Sequence, residues 1–309
     1  MFLVCGEALF DVFAVARTPT GLSLDARVGG SPFNLAVGLA RLAQPVSLLT
    51  TVSNGFLGER LMQAMREEGV GTDTLRRSDA PTTLSLIGTD TAGVPSYAFY
   101  GDGGADRLLA PEAVVDVPPA TRAICLGSYT TVVGETARSL RALVQRHRHR
   151  ALIAYDPNVR LNVQPDVEAW RGQLRWMLSR AHLLKVSEED LALIDGRTPE
   201  AFAREALASG VSLVVVTRGA LGAIAWTGRE RGEVAAPTVD VIDTVGAGDT
   251  FQAALLTWLA ERDALRREAL EELSPTALDA ALRFATQAAA ITCGRRGADL
   301  PRRAELPAV

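Results

Sequence analysis

Apolar runs of strand length alternate along this chain with longer runs in which apolar residues recur every three or four positions. FLVCGEALFDVF (2–13) reads as a strand. SPFNLAVGLARLAQ (31–44) reads as a helix, with Ser31 able to cap it and Pro32 suited to its first position. VSLLTTV (46–52) is a strand and FLGERLMQAMREEGV (56–70) a helix. The alternation continues with strands over 122–128, 151–158, 182–187 and 212–219 and with LGAIAWTG (221–228). Helices are predicted over 134–150, 170–180 and 199–210, and two more close the chain at 250–263 and 275–294. Continuous apolar strands such as LVVV, with helices between them, imply a mainly parallel sheet covered on both faces.

Two stretches do not fit such a core. TTLSLIGTD and VPSYAFYG form a more polar strand pair around the turn residues Thr91-Ala92-Gly93. The segment after Phe10 is equally out of pattern. Both read as a small β-excursion over one sheet edge, that is, a lid. With no repeat, low-complexity stretch or linker, the expectation is one domain over 1–309, with lid segments at approximately 10–28 and 82–106.

Composition narrows the function classes. The 309 residues are 48% hydrophobic and 22% charged, with net charge −4 and pI near 5.6. Neither nucleic acid nor an anionic membrane is an expected partner. No apolar run of about 18 residues marks a membrane span. The N-terminus has no basic n-region and meets acids at once, so it reads as a buried strand rather than a signal peptide. Cys5, Cys125 and Cys293 make no CxxC or zinc pattern and read as buried hydrophobes in a reduced cytoplasm. The RHRHR run, 146–150, sits where a helix ends and cations suit the dipole.

In an open parallel sheet ligands bind beyond the carboxyl ends of the strands. Polar and glycine groups fall there repeatedly: Glu7 and Asp11, Gly29-Gly30 with Asn34, Asp156-Asn158-Arg160, Ser187 to Asp190, Thr217-Gly219-Gly222, and Gly246 to Asp249. In the last, DTVGAGDTF (243–251), the N–H groups of Gly246, Ala247, Gly248 and Asp249 can converge at a helix start as an anion hole. Phosphoryl transfer spreads negative charge over the moving group, which such a hole stabilises. The Asp249 carboxylate would accept the proton of an attacking alcohol. The other reading is a helix cap, with Asp249 at N-cap and Gln252 three residues on. No strand is followed by GxGxxG, which argues against a dinucleotide oxidoreductase.

DTVGAGDTF and GGSPFNLAVGLARLA resemble the C-terminal and N-terminal signatures of the ribokinase-like (PfkB) carbohydrate kinases. GEALFDVF, DPNVR, KVSEEDL, VTRGALGA and AAAITCGRRGA resemble that family's other blocks, in order, over about residues 3–300. DPNVR and KVSEEDL look most like bacterial fructokinases. The resemblance implies a three-layer α/β/α sandwich with a small β-strand lid. It implies Asp249 as catalytic base and Gly246, Ala247 and Gly248 as the anion hole. Asp11, Gly29, Gly30, Asn34, Tyr100 and Arg160 would contact the sugar or the transferred phosphate, unless Arg160 merely pairs with Asp156. Ser187, Thr217, Gly219, Gly222 and Thr286 would contact ATP. Asp190 would position magnesium through water. Asp243 with the Val245 carbonyl resembles half of a potassium site. Ser187, Asp190 and Thr286 depart from the asparagine, glutamate and asparagine of many relatives.

The implied activity is ATP-dependent phosphorylation of a primary sugar hydroxyl, fructose to fructose 6-phosphate, by a cytoplasmic protein that dimerises through its lid. The alternatives are a kinase for 2-keto-3-deoxygluconate, another sugar or a nucleoside, and a catalytically silent sugar-binding regulator. In many relatives an arginine follows the aromatic pair matching Phe99 and Tyr100; here Gly101 and Asp102 follow, with Arg107 six residues beyond Gly101. That change points to neutral sugars over sugar acids.

Overall fold

The computed structural model describes residues 1–89, 95–115 and 117–308, so the expected turn at Thr91-Ala92-Gly93 lies outside the described residues. The chain begins with β1 (Phe2–Cys5), β2 (Leu9–Thr18), β3 (Gly21–Gly29), α1 (Ser31–Arg41), β4 (Val46–Leu49), β5 (Thr51–Ser53) and α2 (Phe56–Glu67). It continues with β6 (Arg76–Ser78), β7 (Leu84–Thr89), β8 (Pro95–Tyr100), β9 (Ala123–Gly127), α3 (Gly134–His147), β10 (Leu152–Asp156) and α4 (Val167–Leu178). Then come β11 (Leu183–Ser187), α5 (Glu188–Ile194), α6 (Pro199–Ala208), β12 (Leu213–Thr217), β13 (Ala223–Trp226) and β14 (Arg231–Val234). The chain closes with α7 (Ala247–Glu261), α8 (Arg267–Glu271) and α9 (Pro275–Cys293).

Eight strands form the central sheet in the order β14-β13-β12-β11-β10-β9-β1-β4. All neighbours from β12 to β4 are parallel, and β13 and β14 turn back antiparallel at one edge. Successive strand residues point to opposite faces, and two cores result. Phe2, Val4, Leu213 and Val215 pack with α1, α2, α7 and α9. Leu3, Cys5, Val214 and Val216 pack with α3, α4 and α6 on the other face. That is the three-layer ribokinase-like sandwich expected. A second sheet, β3-β2-β7-β8, takes up the segments expected to form a lid, and the word lid denotes its place only. Among the described residues no helix is long and apolar enough to cross a membrane.

Two apolar runs read as single strands are each divided between sheets. FLVCGEALFDVF breaks at Gly6 (φ 140°), where a Cβ would stand 2.5 Å from Pro32 Cγ and 2.8 Å from Thr130 Oγ1. β1 stays in the central sheet and β2 leaves for the lid. VSLLTTV likewise divides into β4 and β5, the latter pairing with β6. The helix starts also differ from expectation. Gly30, not Ser31, is the N-cap of α1, and Gly246 is the N-cap of α7. Asp249 is therefore the third residue inside α7, so the capping reading with Gln252 is corrected.

Candidate active site

The site is built where α1 and α7 start, beyond the carboxyl ends of β1, β10 and β11. Gly246 takes a left-handed conformation (φ 78°), and a Cβ there would meet Ala298 Cβ at 2.7 Å. This turn opens α7 with its first N–H groups free of intrahelical partners. The Ala247 N–H is engaged by the Thr244 carbonyl at 3.2 Å. Gly248 and Asp249 lie in the same first turn, where the positive end of the helix dipole favours an anion.

Asp249 is 8% exposed. Its Oδ1 accepts from Ser31 Oγ at 2.6 Å and its Oδ2 from Asn34 Nδ2 at 2.9 Å. Ser31 and Asn34 are three apart on α1, hence on one helix face. They reach Asp249 because α1 lies close on α7: a Cβ at Gly38 would stand 2.5 Å from Leu300 Cδ2 and 2.8 Å from Ala253 Cβ. Burial raises the Asp249 carboxyl above the ordinary range. The Ser31 and Asn34 hydrogen bonds and the charges of Lys185 and Arg160 pull the other way.

Lys185, which the motif reading passed over, is brought to this helix start by β11. Its Nζ lies 2.6 Å from Asp156 Oδ2 and 3.3 Å from where a Cβ at Gly248 would stand. The register Tyr155↔Leu184 makes Asp156 and Lys185 the next neighbours on β10 and β11. Lys185 is 4% exposed. Of the 32 lysines and arginines in the chain it is the one lysine, and that was the signal available in the sequence. A compact ammonium fits against a helix start where a guanidinium fork would not.

Asp156 being taken, Arg160 does not pair with it; Arg160 is exposed and donates from Nη1 to the Val159 carbonyl at 2.9 Å. Its charge still acts on Asp11, Asp190 and Asp249. Ser187 caps α5, accepting from the Asp190 N–H at 3.0 Å. Burial, aided by the Asp156 charge, raises Asp190 to about 6. No group of three or more His, Cys, Asp or Glu among the described residues could hold a metal. A lone carboxylate such as Asp190 fits magnesium, which keeps its waters and takes its other ligands from substrate phosphates.

The lid supplies the opposite wall. Asp11 (β2), Ser85 (β7) and Phe99 (β8) stand in register and so share one face. Gly29 packs on the acid, since a Cβ there would fall 2.3 Å from Asp11 Oδ2. Gly30 (φ 104°) passes over the Glu7 carbonyl. Burial raises Asp11 to about 6, opposed by a Ser85 hydrogen bond and Arg160. Tyr100, expected at the substrate, is 62% exposed and lies on the opposite face of the lid from Asp11 and Phe99. Arg107 fills the gap left by Gly101. Its Nη2 is 3.1 Å from a Cβ position there, its Nη1 donates to Asp102 Oδ1 at 2.8 Å, and it flanks the Phe99 and Tyr129 rings. A cation does return to this end of the second sheet, paired with the exposed Asp102.

Below the lid Glu7 is buried, accepts from Thr130 Oγ1 at 2.8 Å, and is raised by burial to about 7. Further along the sheet edge, Thr217 ends β12 and Gly219 (φ 53°) follows it. Gly222 (φ 92°) comes next, and a Cβ there would stand 2.0 Å from the Val234 carbonyl oxygen. The Thr286 hydroxyl donates into its own helix, to the Leu282 carbonyl at 2.9 Å. Asp243 is a clamp in the loop before α7, its oxygens accepting from the Val245 N–H at 3.0 Å and the Gly297 N–H at 2.9 Å.

Chemically, the arrangement offers a buried proton acceptor, adjacent anion donors with a lysine, and a wall that can bind hydroxyls. The pfkB family carbohydrate kinase profile matches residues 2–304. A fructokinase from Rhizobium leguminosarum bv. trifolii is 30% identical over 279 residues, covering 90% of this chain and 85% of the relative. The crystal structure of a fructokinase with bound ATP from Xylella fastidiosa superposes with TM-score 0.86 at 26% identity, over 99% of this chain and 94% of that one. A fructokinase from Vibrio cholerae O395, solved with fructose, ADP and calcium ion, shares the fold with TM-score 0.78 at 24% identity, over 96% and 94%. The chain belongs to the pfkB family of carbohydrate kinases.

Proposed function

We propose that the protein transfers the γ-phosphoryl group of ATP to the primary hydroxyl of a neutral sugar, with fructose to fructose 6-phosphate as the first reaction to test. The observation that carries this reading is the Asp249 carboxylate, held at both oxygens by α1 and set at the start of α7 beside Lys185 Nζ. The fructokinase relatives support fructose as the acceptor. The sugar hydroxyl gives its proton to Asp249 while its oxygen bonds to the γ-phosphorus. The bond to the β,γ-bridging oxygen breaks and ADP leaves. A carboxyl raised by burial is the better proton acceptor. The Gly248 and Asp249 N–H groups of α7 and Lys185 would face the charge spread over the moving phosphoryl group, the Ala247 N–H being engaged by Thr244.

Asp11 and Asn34 bind sugar hydroxyls, Gly29 and Gly30 let the sugar approach the backbone, and Arg160 reaches substrate or phosphate. The Thr217–Gly222 turn, Ser187 and Thr286 border the nucleotide. Magnesium, held through water at Asp190, would neutralise β- and γ-oxygens. Potassium would sit by Asp243 and the Val245 carbonyl. Full turnover in excess EDTA, or equal rates in potassium and a large organic cation, removes the respective ion. Val15, Leu22 and Leu24 are exposed on the β2–β3 hairpin and support a homodimer through the lid; a monomer by light scattering at micromolar concentration rejects it. Compartment is proposed as cytoplasmic. The deciding experiment measures ADP release with ATP and a panel of fructose, ribose, tagatose and 2-keto-3-deoxygluconate. Sugar-independent or absent turnover overturns the reading, and preference for the acid overturns the neutral-sugar choice, which rests on Gly101 and Asp102 following the aromatic pair in place of arginine.

A further inference from the structure

Between the ends of β1, β9 and β10 and the starts of α1 and α7 lies a small void with ≈ 10 Å³ of room for water-sized spheres, bordered by Cys5, Cys125, Gly127, Ser31, Asp156 and Gln252. Two of these side chains are buried without a full set of partners. Gln252, 2% exposed, has no protein partner for Nε2. Asp156, 3% exposed, gives Oδ2 to Lys185 while its Oδ1 has no protein partner. A buried amide donor and a buried carboxylate oxygen each carry a penalty when unpaired. A third group points the same way: Ser31 Oγ spends its proton on Asp249 Oδ1 and keeps lone pairs to accept with.

The void is about the smallest that holds one water, and its wall offers the two to four polar groups a buried water needs. We propose that one structural water fills it, accepting from Gln252 Nε2 and donating to Asp156 Oδ1 and Ser31 Oγ. Gln252 is then a positioning residue. It stands three residues after Asp249 on α7 and touches neither sugar nor phosphate. Through the water it fixes the Asp156 carboxylate, and through Asp156 the direction of Lys185 Nζ at the anion hole. The same water reaches Asp249 through Ser31, so the proton-accepting and phosphate-facing halves of the site share one buried junction. The functional half of this inference rests on the kinase reading above.

Two measurements test it. A high-resolution crystal structure of the ligand-free protein should show a water within hydrogen-bond distance of Gln252 Nε2, Asp156 Oδ1 and Ser31 Oγ. This readout needs no substrate, so it stands apart from the choice of sugar and of reaction. An empty void, or a direct Gln252–Asp156 contact, overturns the proposal. In the second, Gln252→Met keeps the length of the side chain and removes the amide. kcat should fall up to roughly 10-fold, the upper end for one neutral hydrogen bond, with the KM of whichever sugar is turned over unchanged. Gln252→Asn, which keeps an amide for the water, should recover part of the loss. Unchanged kcat in folded Gln252→Met, or equal loss in both variants, overturns the positioning role. Should Gln252→Met fail to fold, the crystal structure and the Asn variant's kcat against wild type decide.

Discussion

Replacing Asp249 by Asn removes the proton acceptor while preserving the shape of the grip around it. The new amide can accept from Asn34 Nδ2 with its oxygen and donate to Ser31 Oγ with its nitrogen, because a serine hydroxyl can turn from donor to acceptor. Folding and sugar KM should therefore survive. Loss of a general base costs ~10²–10⁴-fold in kcat. Stability should move the other way. Burial raises the Asp249 carboxyl, so the folded state binds its proton more tightly than the unfolded chain does. That group's stabilising contribution is present below the ordinary carboxylate range and is lost as pH rises through the folded value. Each unit of the shift opposes folding by about 1.4 kcal/mol at higher pH. The neutral amide carries no such cost. The variant should melt at the same temperature or higher at pH 7–8, and its advantage should shrink towards pH 4. kcat from ADP release and melting temperatures over pH 4–8 are the assays. Near-normal turnover in the folded variant, or a melting deficit that widens as pH rises, refutes the reasoning.

Three further outcomes are expected. Lys185→Met alone would leave Asp156 buried and unpaired at a cost of about 3–5 kcal/mol. Lys185→Met with Asp156→Asn should instead fold, lose kcat and bind ATP more weakly, with sugar KM unchanged; normal kcat would remove Lys185 from the phosphate. Glu7→Gln should flatten a loss of wild-type stability that runs from pH 4.5 to about 7 and amounts to on the order of 3 kcal/mol; parallel melting curves over that range would count against it. Gly38→Ala should push α1 from α7 and loosen both bonds to Asp249. A displacement of about 1 Å costs up to roughly 10²-fold in kcat, and an unchanged kcat would show that the helices repack without moving the grip.

The sequence made the fold and the ends of the sheet legible because apolar strands, helix periods and glycine turns are local signals. VGAGDTF pointed to the glycine turn that opens α7 and to the acid in its first turn. What stayed hidden depends on packing between distant segments. Ser31 looked like a cap, and became a ligand of Asp249 once Gly38 let α1 approach α7. Lys185 lay inside an apolar strand and gained its meaning from the register with Asp156. Arg107, six residues beyond Gly101 and able to swing back, reaches the gap only through the turn between them. Tyr100 and Phe99 are adjacent, and which of them shares a face with Asp11 follows from the register of β8 on β7 rather than from residue type. Polar strands such as β6, with Arg76 and Arg77 exposed and Ser78 half-buried, and β14, exposed at every other position, carried no apolar run to find.

A chain with one lysine has one bond for a lysine-specific protease. That bond follows Lys185, inside the fully buried part of β11, flanked by β10 and β12. Fraying of loops or opening of the lid does not present it; β11 must leave the sheet. Digestion of the intact protein should therefore yield two pieces, residues 1–185 and 186–309, at a rate set by the population of the globally opened chain when reclosing is faster than cutting. Nucleotide and sugar bound to the folded form should slow that rate by mass action. The ammonium proposed to face the phosphate thus doubles as a built-in clock for unfolding, readable on a gel without any label.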